Sequence, residues 1–314
     1  MTPTGCLVAM YHYIRDTNGP SSGLNALSPD DFGRQLDRIA AERGIVACDE
    51  LERALAARRR LDGAALLTFD DGFADHFETV FPVLESRGWT GVFFLVGEAH
   101  AERRRVANVH KTHLLLDRLG SEVFSEAVRE SMPRHAVAAG IGVRWRQEVY
   151  RYDQTSNLEV KHLLNYELPF ETTDRILDEL FAREFGDQHD FASMFYLSGD
   201  RIAQMAAAGM VFGFHTEHHR VLSRLTPEEQ RLELCDGVAR VRALSGQASV
   251  PFCFPYGHPH TYDGHTLRVL AESGYSLGFT TTRRLANTGE DERFLIPRFD
   301  TRDLPPFVED LPRS

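Results

Sequence analysis

Cysteine is scarce in this chain of 314 residues. There are four, Cys6, Cys48, Cys235 and Cys253, and no two stand in a C-x-x-C spacing. That excludes a zinc ribbon and a dithiol redox pair. Long apolar runs are also missing: none approaches the roughly 20 residues that span a bilayer. The N-terminal stretch "MTPTGCLVAMYHYIRD" has no basic leader, no long apolar segment and no small-residue cleavage site. The chain is therefore expected to be cytoplasmic, with free thiols. Basic charge is short as well, since 35 Lys and Arg face 46 Asp and Glu for a formal net charge of -11. That balance argues against a nucleic-acid partner, whose phosphates call for a basic face. An anionic small substrate stays open, because a local pocket can oppose the global sign. The runs Arg58–Arg60 and Arg103–Arg105 read as solvated helix faces. Repeats and low-complexity tracts are absent.

What is present is a core-forming composition, 42% hydrophobic and 26% charged, in a length that can bury a sizeable core as one domain, 1–314. "CLVAMYH" reads as a short buried strand. "LSPDDFGRQLDRIAAERG" carries a helix start, with Ser28 as N-cap, Pro29 at the first position and Asp31 three residues on. Phe32, Leu36, Ile39 and Ala40 share one face of that helix. "AALLTF" is a second strand, "FETVFPVLESRG" a helix stopped by Gly88, and "TGVFFLVG" a third strand. The alternation returns late. "SGDRIAQMAAAG", "TPEEQRLELCDGVARVRAL" and "GHTLRVLAESG" read as helices, and "MVFGF", "VPFCF" and "YSLGFTT" as strands. Parallel strands with crossover helices follow, either as an α/β barrel or as a doubly wound sheet. Residues 100–195 break the alternation and read as a mainly helical insertion, expected to shape a pocket or a homo-oligomer contact.

Three islands carry chemistry. They are Thr68-Phe69-Asp70-Asp71-Gly72, then "GFHTEHHRVL" with His215 and His219 four apart, then "FCFPYGH" around Pro255-Tyr256-Gly257. One carboxylate with two imidazoles suits a divalent metal and leaves positions open for water and substrate. An i, i+4 histidine pair shares a face if the segment is helical. A second carboxylate beside a metal-activated water can act as its base. Each island alone is weak, but their joint occurrence at strand ends, in this order, is specific.

These residues resemble the polysaccharide deacetylase family, the NodB-homology domain of carbohydrate esterase family four. The match is TFDDG at Thr68–Gly72, H-T-x-x-H at His215–His219 and PYG at Pro255–Gly257, over roughly residues 5–100 and 195–300 and outside the insertion. The resemblance implies a distorted (β/α) barrel with fewer than eight strands. It implies metal-dependent removal of an N-acetyl group from an amino sugar or sugar-containing metabolite, with zinc as the usual metal and cobalt or nickel tolerated. It also implies Asp70 as general base, Asp71, His215 and His219 as metal ligands, Thr216 beside the site, and the Tyr256 N–H as an oxyanion donor. Pro255, Gly257 and His258 are the candidate substrate contacts.

The chain departs from the pattern twice. The third motif commonly opens with an arginine that pairs with the base, and here that position is Cys253. Arg298, in "FLIPRFD", is the candidate replacement. The late leucine-histidine motif that supplies the general acid is missing, for no histidine follows His265. A branch that includes exopolysaccharide poly-N-acetylglucosamine deacetylases places a histidine early, in a "MYH" segment, and this chain has Met10-Tyr11-His12. His12 is therefore the candidate acid. His110 and His113, on a charged helix, read as solvated, His218 as exposed and His76 as structural. Trp89 and Trp145 read as packing. The alternatives are a deformylase or other C–N amide hydrolase, and a catalytically impaired sugar-binding protein.

Overall fold

The computed structural model describes residues 4–16, 24–132 and 155–313. Trp145 lies outside them. Eight strands form one sheet: β1 (Leu7–Tyr11), β2 (Gly44–Ile45), β3 (Ala64–Phe69), β4 (Val92–Leu95), β5 (Val211–Phe214), β6 (Phe252–Cys253), β7 (Gly278–Phe279) and β8 (Phe299–Asp300). Every pairing is parallel, in the order β7-β6-β5-β4-β3-β1-β8, with β2 alongside β3. A parallel bridge between Phe279 and Ile296 brings the far edge to the chain just before β8. The two ends of the curled sheet thus meet at the segment that carries Arg298. This is the distorted (β/α) barrel expected from the sequence, but with eight strands where fewer than eight are expected, because the two-residue strands β2, β6, β7 and β8 all pair into the same sheet.

Strand alternation sorts the side chains. Leu7, Ala9 and Tyr11 of β1, Ala65, Leu67 and Phe69 of β3, and Phe212 and Phe214 of β5 join the core beneath the surrounding helices. Val8, Leu66, Phe94, Cys253 and Phe279 fill the inside of the curl. Continued along β3, the inner face reads Leu66, Thr68, Asp70. The same count along β1 reads Val8, Met10, His12.

The first helix, α1 (Pro29–Glu42), starts as expected, with the Ser28 Oγ accepting from the Asp31 N–H at 3.1 Å. Its buried face differs from the expectation at one position: Ala40 is exposed and Gln35 is buried instead. Gln35 spends its amide on the C-terminal segment, donating to the Thr301 and Pro305 carbonyls at 3.0 and 2.7 Å. Next come α2 (Cys48–Ala56) and a π-helical turn, His76–Val80, that runs into α3 (Phe81–Ser86). The segment 100–195, expected as a helical insertion, contains α4 (Asn108–Leu119), α5 (Ser121–Ser131), α6 (Thr155–His162), α7 (Phe170–Phe185) and α8 (Gln188–Phe195). It has its own core, including Leu115, Phe124, Ile176 and Leu180. A second cluster, with Tyr13, Phe73, Leu114, Phe195 and Tyr196, docks it on the barrel. Beyond it lie α9 (Gly199–Ala207), α10 (Pro227–Leu234), α11 (Gly237–Ser245) and α12 (Gly264–Glu272).

"TPEEQRLELCDGVARVRAL", expected as one helix, is therefore two. Thr226 and Glu229 form a capping box that starts α10, and the Tyr275 hydroxyl donates to the Leu234 carbonyl at 2.6 Å where it stops. Gly237 opens α11 because no Cβ fits there. One would lie 2.2 Å from both Phe214 Cδ1 and the Tyr275 Oη. Gly237→Ala should therefore destabilise the fold by about 1–3 kcal/mol through overpacking, read as a lower urea midpoint at unchanged slope. An unchanged midpoint would show that Phe214 and Tyr275 give way freely.

Candidate metal and catalytic site

Parallel pairing puts the C-terminal ends of the strands at one mouth, and the functional side chains follow those ends directly. The Asp70 N–H donates to the Tyr11 carbonyl at 2.8 Å, extending the β1–β3 ladder, and the His215 N–H donates to Leu95 at 2.9 Å. The chain then turns sharply. Asp71, Thr216, His219 and Tyr256 have φ of 77°, 64°, 54° and 60°, in the left-handed region that costs a non-glycine residue roughly 1–2 kcal/mol. Among the described residues only two other non-glycines, Asn25 and Arg58, have positive φ. Gly72, φ 69°, completes the first turn, and a Cβ there would lie 2.8 Å from Leu95 Cδ2. The His215–His219 segment is not helical, so the pair does not share a helix face. Its two rings converge through the left-handed residues, and Thr216 fixes the turn by accepting the His219 N–H on Oγ1 at 2.9 Å.

Asp71 Oδ1 lies 3.6 Å from His215 Nε2 and 3.7 Å from His219 Nε2, all three residues being buried. His215 Nδ1 bonds the Cys253 carbonyl at 2.8 Å, so Nδ1 carries the proton and Nε2 turns its lone pair towards Asp71. Burial lowers the pKa of both imidazoles, that of His219 to about 3. Burial alone would raise the Asp71 carboxyl, but the neighbouring histidines, His110 first, hold it well below its ordinary value. Asp71 Oδ1 is buried and accepts no hydrogen bond. An orphaned carboxylate oxygen facing two neutral imidazole nitrogens fits a small divalent cation. Asp70, His215 and Cys253 also lie close together. They do not fit a cation, because a guanidinium already occupies both Asp70 oxygens and the thiol.

That guanidinium is Arg298. It donates to Asp70 Oδ1 and Oδ2 at 2.7 and 2.8 Å, to Thr68 Oγ1 at 3.1 Å, to the Thr280 carbonyl at 3.0 Å and to Cys253 Sγ at 2.9 Å. All five N–H donors of the side chain are thereby satisfied. Burial pushes the Asp70 carboxyl up, and Arg298 more than offsets this, leaving it at about 2. Asp70 is thus ionised and fixed. His12 lies 3.8 Å from it through Nε2, with 37% of its side chain exposed. The His12 carbonyl is held at 2.9 Å by Nε2 of His76, a fully buried residue with a structural role.

These groups line a cavity of about 220 Å³. The barrel contributes His12, Asp70, Asp71, His215, His219 and Tyr256; the insertion contributes Val109, His113 and Lys161. Pro255, Gly257 and His258, expected to touch substrate, are not in the lining. Pro255 is buried, and Gly257 packs so closely that a Cβ would lie 2.7 Å from the Thr281 nitrogen. The His258 ring lies against that of exposed His260 at 4.9 Å. These three residues shape the turn that presents Tyr256. His110 and His113 correct the expectation of solvation. His110 is fully buried with Nε2 3.1 Å from Asp71 Oδ2, and His113 faces the cavity, its Nδ1 3.3 Å from the Tyr13 hydroxyl. Their i, i+3 spacing on α4 was the available signal, obscured by charged neighbours. His218 is partly exposed and bonds Glu233 through Nδ1 at 2.8 Å, and Trp89 packs against the outer core.

The sequence matches the family model for polysaccharide deacetylases over residues 57–140 and 174–278. YxkH of Bacillus subtilis (strain 168), provisionally named a polysaccharide deacetylase, is 26% identical over 102 residues, 32% of this chain and 33% of that protein. The similarity to that relative thus spans about a third of its length. The Streptococcus pyogenes deacetylase PplD, solved with acetate, superposes with a TM-score of 0.57 at 18% identity, over 95% of this chain and 93% of its own. IcaB from Ammonifex degensii gives 0.57 at 21% identity, over 95% and 91%. The BpsB deacetylase domain of Bordetella bronchiseptica gives 0.52 at 16%, over 95% of each. At these identities the likeness to the solved structures speaks to the fold.

Removing the guanidinium strands a buried carboxylate. Arg298→Met should lower stability by about 3–5 kcal/mol, measured by chemical denaturation. Arg298→Lys keeps the charge without the fork and should fall between that variant and the wild type. Equal stability of all three proteins would contradict this account of the pair.

Proposed function

The chain belongs to the polysaccharide deacetylase family, and from that premise we propose that it is a metal-dependent hydrolase that removes the N-acetyl group of an amino sugar. The observation that carries the reading is the pairing, on one cavity, of an ionised and immobilised Asp70 with the converging donors of Asp71, His215 and His219. A divalent cation held by those three, zinc being the usual choice for one carboxylate and two imidazoles, supplies Lewis acidity to the acetyl carbonyl and acidifies a water.

The remaining steps belong to the protein. Asp70 takes a proton from the attacking water as the new C–O bond forms. Arg298 keeps the carboxylate in one orientation throughout. The backbone N–H of Tyr256 donates to the developing oxyanion, and the left-handed turn at Tyr256 and Gly257 sets its direction. As the C–N bond breaks, His12 gives its proton to the departing amine. The products are acetate and a free amino sugar. The lining by Val109, His113 and Lys161 supports a chain end or a small sugar metabolite as substrate, rather than the middle of a long polymer. Free thiols at Cys6, Cys48, Cys235 and Cys253 fit a reducing, cytoplasmic setting. A sugar-binding protein would have no use for a fixed, ionised base beside a metal-type donor set.

Asp70→Asn should cut acetate release from N-acetylated amino sugars by roughly 10²–10⁴-fold while leaving the metal stoichiometry at wild type. His215→Ala should lose metal and activity together, and a chelator should abolish turnover that added Zn²⁺ restores. Full activity in Asp70→Asn would refute the role given to the base. Formate release from N-formyl sugars, with no acetate release from their N-acetyl counterparts, would move the assignment to a deformylase.

A further inference from the structure

We propose that His110, supplied by the segment 100–195, is the positioning residue for Asp71: its Nε2 lies 3.1 Å from Asp71 Oδ2, and this leaves Oδ1 for the cation. The inference rests on Asp71, His215 and His219 being the metal set.

The direction follows from the groups behind the ring. The Ala107 N–H donates to the Tyr196 Oη at 3.1 Å, and that oxygen lies 2.6 Å from His110 Nδ1. Tyr196 and His110 are buried, with 1% and 0% exposure, away from bulk water. Among the described residues, the acceptor within reach of the Tyr196 proton is His110 Nδ1. With Nδ1 accepting, the ring hydrogen sits on Nε2. The opposite tautomer fails at both ends: it would orphan the Tyr196 proton and point a lone pair at a carboxylate oxygen 3.1 Å away. The Nε2–H and Oδ2 are close but not in line, so this contact orients the carboxylate more through charge than through an ideal hydrogen bond.

His110 is not itself a ligand in this arrangement. Among the described residues, the groups whose donor atoms all lie mutually within 4.8 Å are Asp71-His215-His219 and Asp70-His215-Cys253. The ring is held in place on other sides too. Phe73, two residues after Asp71, meets it edge-on at 4.9 Å between centroids, and Lys111 on the same helix pairs with Asp178 of α7. A carboxylate free to rotate could offer either oxygen or both. One restrained from behind offers a single oxygen in a fixed place, and partners of this kind are worth roughly 10–100-fold in metal affinity.

The test is metal affinity of the apo proteins, titrated with Zn²⁺ against a chromophoric chelator, with the Co²⁺ absorption spectrum as a second readout. His110→Leu should bind Zn²⁺ about 10–100-fold more weakly, with an altered Co²⁺ spectrum. His110→Gln, whose amide can still donate to Oδ2, should recover most of the affinity. Tyr196→Phe, which leaves the imidazole but frees its tautomer, should fall between the wild type and His110→Leu. Wild-type affinity in His110→Leu overturns the proposal, and so does a His110→Gln as weak as His110→Leu, which would make the role one of packing. If His110→Leu does not fold, unchanged affinity in Tyr196→Phe overturns it. A wild-type protein that binds neither ion defeats the metal-site reading beneath it, which is a different failure.

Discussion

The pair between Asp70 and Arg298 is the constraint on which the rest of this molecule turns. A carboxylate with 2% exposure inside a barrel is tolerable only with a partner that replaces water on both oxygens. Arg298 does this with a fork, and its three other donors reach Thr68, Thr280 and Cys253. The arginine also sits on the stretch that joins the sheet's two ends. Ile296 accepts from the Thr280 N–H, Arg298 donates its own N–H to Thr282, and Phe299 pairs with Ala9. Closing the barrel and fixing the base are therefore one event, and a site whose motifs lie at residues 68–72 depends on residues 296–300.

The mouth of the barrel concentrates the opposite kind of feature. Four left-handed non-glycine residues, together costing several kcal/mol, occur where the strands hand over to the site loops. Each is tied down by neighbours: Asp71 by the ladder bond of Asp70, Thr216 and His219 by the bond between them, Tyr256 by Gly257 packed on Thr281. Strain of this kind persists only where the surroundings over-determine it. It aims Asp71, His215 and His219 at one point, which leaves Asp71 Oδ1 as a buried acceptor without a donor, itself a cost of about 1–3 kcal/mol. Both costs fall on the same few residues, and a cation would relieve the second.

Much of this was legible beforehand, for a reason particular to strands. Period-two alternation along "AALLTFDD" and "CLVAMYH" is enough to put Thr68, Asp70, Met10 and His12 on one face, and parallel pairing puts their ends together. The start of α1 was legible because Ser28 and Pro29 act locally. The errors came where a distant partner decides. Ala40 lost its place in the buried face to Gln35 because the tail at Thr301 and Pro305 offers carbonyls. The spacing of the histidine pair does not reveal that left-handed residues, not a helix, bring the rings together. Pro255, Gly257 and His258 flank a motif, and the structure places them in the turn beside Tyr256. His110 was read as solvated because its helix is charged, and only the docking of that helix reverses the environment.

That docking changes what the insertion is. Its last residue, Phe195, and the two that follow pair directly with the turn after Asp71: Phe73 and Tyr196 form an antiparallel bridge, the Leu197 N–H donates to Gly72, and the Ala74 N–H donates to Phe195. A cover attached only at its ends could be lost without disturbing the donors beneath it. Here the backbone of the metal-side turn is laddered to the insertion, and the aromatic cluster of Tyr13, Phe73, Phe195 and Tyr196 fills the space between them. The barrel motifs place Asp71, but the insertion holds the turn in which Asp71 sits and one wall of the cavity it faces. Variation in that segment would therefore alter the site itself as well as its entrance.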